Sequence, residues 1–281
     1  MANLAMLRDY PKTDPNTRPT RWWHIGWVLF ANRTTVLGAI GAVGLACALA
    51  FGAGLALGQA WLAYLGLGLA LLALGLLLNA LIGLNRIYGP PARAYVRQLL
   101  RMGGLEEGSP ERLRVADLHI GTYRVSYLLA DLLPAAQIKA IDIWDGRRFE
   151  TEGALALLRR LEQVPAAEPR IRPMSAQNGA TALPDASCDL VVMGMGLHEV
   201  PAGAPRAELF AEARRLLKPG GVCCLFEHTV DLQSLLIFGP EIHHWVRREE
   251  WRAELEQVFG QPVSHERSSH AVDLFCVRKA A

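Results

Sequence analysis

The apolar positions of this chain follow two regimes. Between Thr34 and Asn85 they form one run containing no Asp, Glu, Lys or Arg. Beyond Arg114 they break into short blocks separated by polar, helix-length stretches. The first run is too long for one membrane span and suits two spans of roughly 20 residues each. Its most polar point is Gly58-Gln59, so the pattern predicts an antiparallel transmembrane hairpin, Thr35–Leu57 followed by Ala60–Leu84. Tyr88-Gly-Pro-Pro91 then ends the helix, because proline removes a donor and restricts the residue before it. "ARAYVRQLLRMGG" follows as an amphipathic helix stopped at Gly103-Gly104.

The second regime alternates. Strands are expected at Arg114–Leu118, Ile138–Ile143, Arg170–Pro173, Leu190–Met195 and Val222–Glu227. Helices are expected at Thr122–Leu133, Arg147–Gln163, Ala204–Leu217 and Arg247–Phe259. Short apolar strands without strict alternation are buried on both faces, and their alternation with helices predicts a doubly wound α/β fold with a mainly parallel sheet. "PVSHERSS" and "HAVDLFCVRK" break the rhythm and predict an antiparallel C-terminal hairpin at the sheet edge. The division is then an N-terminal segment (1–33), the hairpin (34–86), a linker with one helix (87–112) and an α/β domain (113–281).

Charge adds orientation. Lys12, Arg18, Arg21 and Arg33 precede the hairpin, Arg86, Arg93, Arg97 and Arg101 follow it, and the central turn has no basic residue. Both ends are therefore expected in the cytoplasm, with the chain a multi-pass protein of the cell (inner) membrane. Trp22, Trp23 and Trp27 beside arginines have the composition of an interfacial anchor helix. Gly38, Gly41, Gly44, Ala48 and Gly52 form a small-residue face that allows close helix approach, within the hairpin or in a homo-oligomer. Over the whole chain 51% of residues are hydrophobic, 20% are charged and the net charge is +2, which gives no basic field for nucleic acid. The five cysteines include no C-x-x-C pair, and four sit in apolar runs, as buried free thiols do.

In a doubly wound sheet, ligands bind at the carboxyl ends of the strands, near the reversal of strand order. The first strand ends in Asp117-Leu118-His119-Ile120-Gly121-Thr122. The second ends in Asp142, 21 residues beyond Gly121, where a carboxylate is suited to accepting both hydroxyls of a ribose. Four motifs then occur in order: "VADLHIGTYR", "AIDIW", "LPDASCDLVVMGMGLHEV" and "EARRLLKPGGVCCLFE". Together they resemble the class I S-adenosylmethionine-dependent methyltransferases, nearest to the small-molecule branch that includes quinone-biosynthesis enzymes. The resemblance covers about Arg114 to Glu227 and implies a Rossmann-like fold with S-adenosyl-L-methionine as cofactor. It assigns Asp117 and Gly121, with His119 and Thr122 in the same loop, to the methionine part of the cofactor. By the same resemblance Asp142 takes the ribose hydroxyls, Ile143 and Trp144 lie against the adenine, and Gln177 or Asn178 meets the adenine amino group. Met193 to His198 would line the sulfonium and the acceptor.

The chain departs from the family at His119 and Tyr123, which stand where the first motif has glycines. His119 either fits harmlessly or crowds the methionine carboxylate. His198 is the first candidate base and His228 the second, each with a wall-residue reading beside it. Tyr95 either closes over the cofactor or packs in the core. His243-His244 is a ligand-type pair, but adjacent residues point differently and no third ligand is evident, so no metal is expected. The apolar run Leu235–Phe238 is expected to be a substrate lid, a membrane-touching flap or packing on the sheet. The expectation is a membrane-anchored methyltransferase acting on a small apolar or lipid-like acceptor, with its cofactor site intact in a chain beginning at Ala92. The alternative is a catalytically silent relative that binds partners or senses the cofactor.

Overall fold

In the computed structural model, residues 33–89, 91–144, 155, 159, 168–176, 180–268 and 272–281 are described. The tryptophans of the N-terminal segment, most of the expected helix Arg147–Gln163, and Gln177 and Asn178 lie outside these residues.

The uncharged run folds as two helices, α1 (Arg33–Ala56) and α2 (Ala60–Tyr88), which pack on each other and break at Gly58, where φ is +63°. Both are long and apolar enough to cross a membrane. Their leucines are mostly exposed, which in water would leave a large apolar surface uncovered. The glycines that close the hairpin are not the expected face. A Cβ on Gly54 or Gly66 would press on the backbone of the opposite helix, whereas Gly38, Gly41, Gly44 and Gly52 have nothing within 4 Å.

Helix α3 (Ala92–Met102) leads into the sheet. Strands β1 (Arg114–His119), β2 (Gln137–Asp142), β3 (Ile171–Ser175), β4 (Cys188–Gly194), β5 (Leu217–Glu227), β6 (Ser264–Arg267) and β7 (Asp273–Arg278) form a seven-stranded sheet in the order β3-β2-β1-β4-β5-β7-β6. The first five are parallel, and β7 runs antiparallel to both β5 and β6. This is the expected doubly wound sheet with its terminal hairpin. The crossover helices are α4 (Arg124–Leu132) and α5 (Ala204–Leu216), followed by α6 (Leu232–Phe238) and α7 (Arg248–Phe259).

Two corrections concern boundaries. Helix α4 starts two residues later than expected, leaving Thr122 and Tyr123 in the loop. The Lys218-Pro-Gly-Gly221 stretch is not a separate turn. It lies inside β5, where the register against β4 shifts and Gly220, at φ +75°, bonds to the Lys279 carbonyl.

Alternate residues of the central strands serve opposite faces. Val115, Ile138, Leu190, Val192 and Cys224 pack with α3 and α4, while Ala116, Ile141, Val191, Cys223 and Leu225 pack with α5 and α7 around Trp251 and Phe210. Each fully buried aliphatic side chain contributes roughly 1.5–3 kcal/mol. Four of the cysteines are buried and all five are free thiols.

The hairpin is joined to this core. Ile87, in the last turn of α2, is wholly buried. Its carbonyl accepts from Arg124 Nη2 at 2.5 Å and from the Tyr95 hydroxyl at 3.0 Å. A buried cation at a helix C-terminus is favoured by the helix dipole. Tyr95 is thus a packing residue, 2% exposed. Nearer the hairpin's middle, Gly83 lies against Ile237 of α6, and Asn79 Nδ2 donates to the Leu236 carbonyl at 3.0 Å.

Candidate active site

Strand order reverses between β1 and β4, and the loops after β1, β2, β4 and β5 meet above that point. The first loop is held by its own histidine. His119 is buried and its Nδ1 accepts from the Gly121 amide at 2.9 Å, with its ring 4.8 Å from that of Tyr123. Burial lowers the His119 imidazole to about 4, so at neutral pH it is uncharged and an acceptor at Nδ1. Gly121 has φ +102°, a conformation side chains rarely adopt. Asp117 is 1% exposed; Oδ2 accepts from Ser126 Oγ at 2.5 Å, and burial raises the carboxyl to about 7. Its Oδ1 is buried with no partner among the described residues, an acceptor in want of a donor.

Asp142 ends β2 beside this loop. Trp144 N donates to its Oδ1 at 3.0 Å. Arg159 grips it from both sides, Nη1 to Oδ1 at 2.9 Å and Nη2 to Oδ2 at 2.7 Å. The same guanidinium donates to the Ile120 carbonyl and lies 4.4 Å from the centre of the Trp144 ring. Two carboxylate oxygens, an aromatic face and the approach to Gly121 are thus all covered by one side chain. Ile143 is 2% exposed, and its amide donates to the His119 carbonyl.

The loop after β4 is strained and pinned. Met195 has φ +53° and Gly196 +153°, the kind of backbone found where surroundings over-determine it. Glu227, at the end of β5 and wholly buried, accepts from the Gly196 and Leu197 amides at 2.7 and 2.6 Å and bonds His198 Nδ1 at 2.8 Å. Burial pushes the Glu227 carboxyl up, but His198, His228 and these amides outweigh it and hold the carboxyl below its ordinary value. His228 Nε2 is 2.9 Å from the Tyr88 hydroxyl, and its ring stacks on Trp245 at 4.8 Å and 18°. Phe238 closes the cluster, 5.0 Å from the His228 ring. His244 comes within 5.8 Å of the His198 ring.

Residues 116–225 match a family model described as methyltransferase domain. That stretch, under half of the chain, is similar to a methyltransferase domain. The cofactor that such a domain implies is S-adenosylmethionine. None of the curated proteins matches the chain. Among solved structures, a SAM-dependent methyltransferase from Aquifex aeolicus is 18% identical over 65% of this chain and 88% of its own, with a TM-score of 0.48. The CurJ carbon methyltransferase is 17% identical over 88% and 70%, with a TM-score of 0.47. A possible exported protein from Bordetella parapertussis is 20% identical over 68% of each chain, with a TM-score of 0.45.

The residues around β1 and β2 fit that cofactor on two counts. Asp117 Oδ1 lacks a donor, and Asp142 offers an acceptor pair for vicinal hydroxyls once Arg159 withdraws. The fold brings Asp117, His119, Gly121, Thr122, Asp142 and Trp144 to one rim. Met193 is different: it is wholly buried in the apolar cluster with Leu118 and Ile141, so its side chain packs inside the sheet layer and does not line the rim. Sequence reasoning missed Arg159, Glu227, Tyr88 and Trp245. Only Glu227 carried a signal, as the acid ending the fifth strand.

Proposed function

We propose that this chain is a membrane-anchored S-adenosylmethionine-dependent methyltransferase of the small-molecule type. Its acceptor is a small apolar or lipid-like molecule, such as a quinone-type ring, a lipid headgroup, or a hydrophobic thiol or phenol, reached at the cytoplasmic face. The observation that carries the reading is the 2.9 Å contact between Tyr88, last residue of α2, and His228 at the end of β5. A helix with the length and apolarity of a membrane span thereby ends inside the acceptor side of the site. Beside it, α6 exposes Leu232, Leu235 and Leu236 while Ile237 packs on Gly83. That disposition suits a short helix dipping into the headgroup boundary, in line with the membrane-touching reading of Leu235–Phe238.

The bound cofactor supplies a methyl group on a sulfonium for in-line displacement. Asp142 and the β1 loop hold the nucleoside and methionine ends, and the wall of Phe238, Trp245 and His228 orients an apolar acceptor, which lowers much of such a barrier. His198, oriented by Glu227, is the candidate base for an acceptor that arrives protonated, with His228 as the second. The expected topology puts both chain ends in the cytoplasm.

The silent-relative reading has its own support. Arg159 satisfies Asp142, and His119 consumes the Gly121 amide. Purified full-length protein in nanodiscs of its host's lipids, given cofactor labelled in the methyl group, separates the two. Label in the organic extract supports the enzyme. Cofactor binding without label in any fraction supports a sensor, and no binding at all sinks both the enzyme and the sensor.

A further inference from the structure

We propose that His198, Glu199 and His244 bind a divalent transition-metal ion of the zinc type at the acceptor end of the site. Their candidate ligand atoms all lie within 4.8 Å of one another. His198 Nε2 and Glu199 Oε1 are 3.7 Å apart, near the ~3.3 Å between two ligands that each sit 2.0–2.1 Å from a tetrahedral zinc. His244 needs only a modest side-chain movement to join them. Two imidazoles and a carboxylate suit zinc and its transition-metal neighbours better than magnesium or calcium, which prefer all-oxygen sets.

A second, independent feature is the carboxylate behind His198. Glu227 is wholly buried, fixed by two backbone amides, and bonds Nδ1 at 2.8 Å, which turns Nε2 toward Glu199. Histidines that ligate metals almost always donate their second ring N–H in this way. Charge also balances: Glu199 and Glu227 together offset a divalent ion in a partly buried place. The ligands come from two short 3-10 turns, Leu197–Glu199 after β4 and Gly239–His244 after α6. The ion would therefore tie the α6 segment to the sheet. Three protein ligands leave a fourth position open, as catalytic zinc sites do. In the methyltransferase reading, that position would take the oxygen, nitrogen or sulfur of the acceptor, and with His198 on the metal the base would be His228. The ligand set itself does not depend on that reading.

The test uses untagged full-length protein in detergent, stripped of metal and titrated with Co²⁺ without cofactor. One equivalent should bind with visible ligand-field bands and be displaced by Zn²⁺. Glu199→Gln and His244→Ala should each abolish the stoichiometric bands. Glu227→Gln should retain them but weaken affinity roughly 10–100-fold, the usual effect of altering a ligand's orienting partner. His243→Ala, an exposed neighbour outside the set, should bind as the unaltered protein does. No stoichiometric Co²⁺ in the unaltered protein overturns the proposal. So does unchanged binding in either Glu199→Gln or His244→Ala, judged on whichever variant keeps the unaltered melting temperature.

Discussion

The two ends of the proposed site are built on different principles. At the cofactor end, the loop after β1 and the end of β2 satisfy one another: His119 holds Gly121, and Arg159 holds Asp142 and Ile120. At the acceptor end, Tyr88, His198, Glu227, His228, His244 and Trp245 come from α2 and from the segments after β4, β5 and α6. The first end is local and closed on itself; the second includes Tyr88 only while the hairpin is docked. A local end tolerates change elsewhere in the chain, whereas an assembled end reports on the whole fold.

The largest effect follows from that docking. Ile87 is wholly buried, and its carbonyl partners the buried Arg124. A chain beginning at Ala92 loses that side chain and leaves the cation the Tyr95 hydroxyl in place of two acceptors. Against a chain beginning at Asn79, which keeps Gly83 to Tyr88, it should be less stable by roughly 3–8 kcal/mol. Denaturant unfolding of the two in one buffer measures this. The cofactor end, being local, is still expected to survive truncation at Ala92, in a domain of lower stability to which the spans' last turn contributes. Equal unfolding free energies would mean that α2 merely rests on the core.

The same contrast explains what the sequence made legible. The sheet was readable because its apolar blocks, the Gly121 turn and the Lys-Pro-Gly-Gly motif are contiguous signals set by local backbone needs. Asp142 was readable as a strand-ending acid at a fixed distance from Gly121. Arg159 was not, because an arginine on a helix face is ordinary until the fold turns it onto Trp144 and Asp142. Tyr88 and His228 are 140 residues apart in sequence, and no period or motif relates them. His244 looked like half of an adjacent pair, whereas its neighbours in space are His198 and Glu199. Of the two uses expected for the small-residue face, the hairpin seam is made by Gly54 and Gly66 instead, because glycine spacing marks where helices can approach, not which face does.

A middle-sized effect tests the cofactor end. Asp142→Ala should weaken S-adenosylmethionine binding by roughly 1.5–3 kcal/mol, the scale of a charge-assisted hydrogen bond. Isothermal calorimetry in detergent is the measurement, and unchanged affinity would remove Asp142 from the site. Arg159→Ala should act the other way. Freed of the guanidinium, Asp142 and Trp144 need no prior release, and binding should tighten by about 1 kcal/mol. Weaker binding in Arg159→Ala would recast the arginine as a ligand contact.

The smallest effect is a near-cancellation in the unaltered protein. Burial raises the Asp117 carboxyl from 3.8 to about 7. Between those values the folded chain holds a proton that the unfolded chain has lost, so this group's contribution to stability falls as pH rises. Burial lowers the His119 imidazole from 6.5 to about 4. There the unfolded chain holds the extra proton, so this contribution grows as pH rises. Across pH 4 to 6.5 the two slopes oppose, and together they should move the melting temperature little. Removing either group uncovers the other. Relative to the unaltered protein, Asp117→Asn should gain stability as pH rises from 4 to 7, and His119→Gln should lose it from 4 to 6.5. Thermal melts of all three in one detergent cancel the contributions of groups common to them. If either variant keeps the unaltered profile, its titrating group is not buried as described, and the cofactor end is less closed than the acceptor end is open.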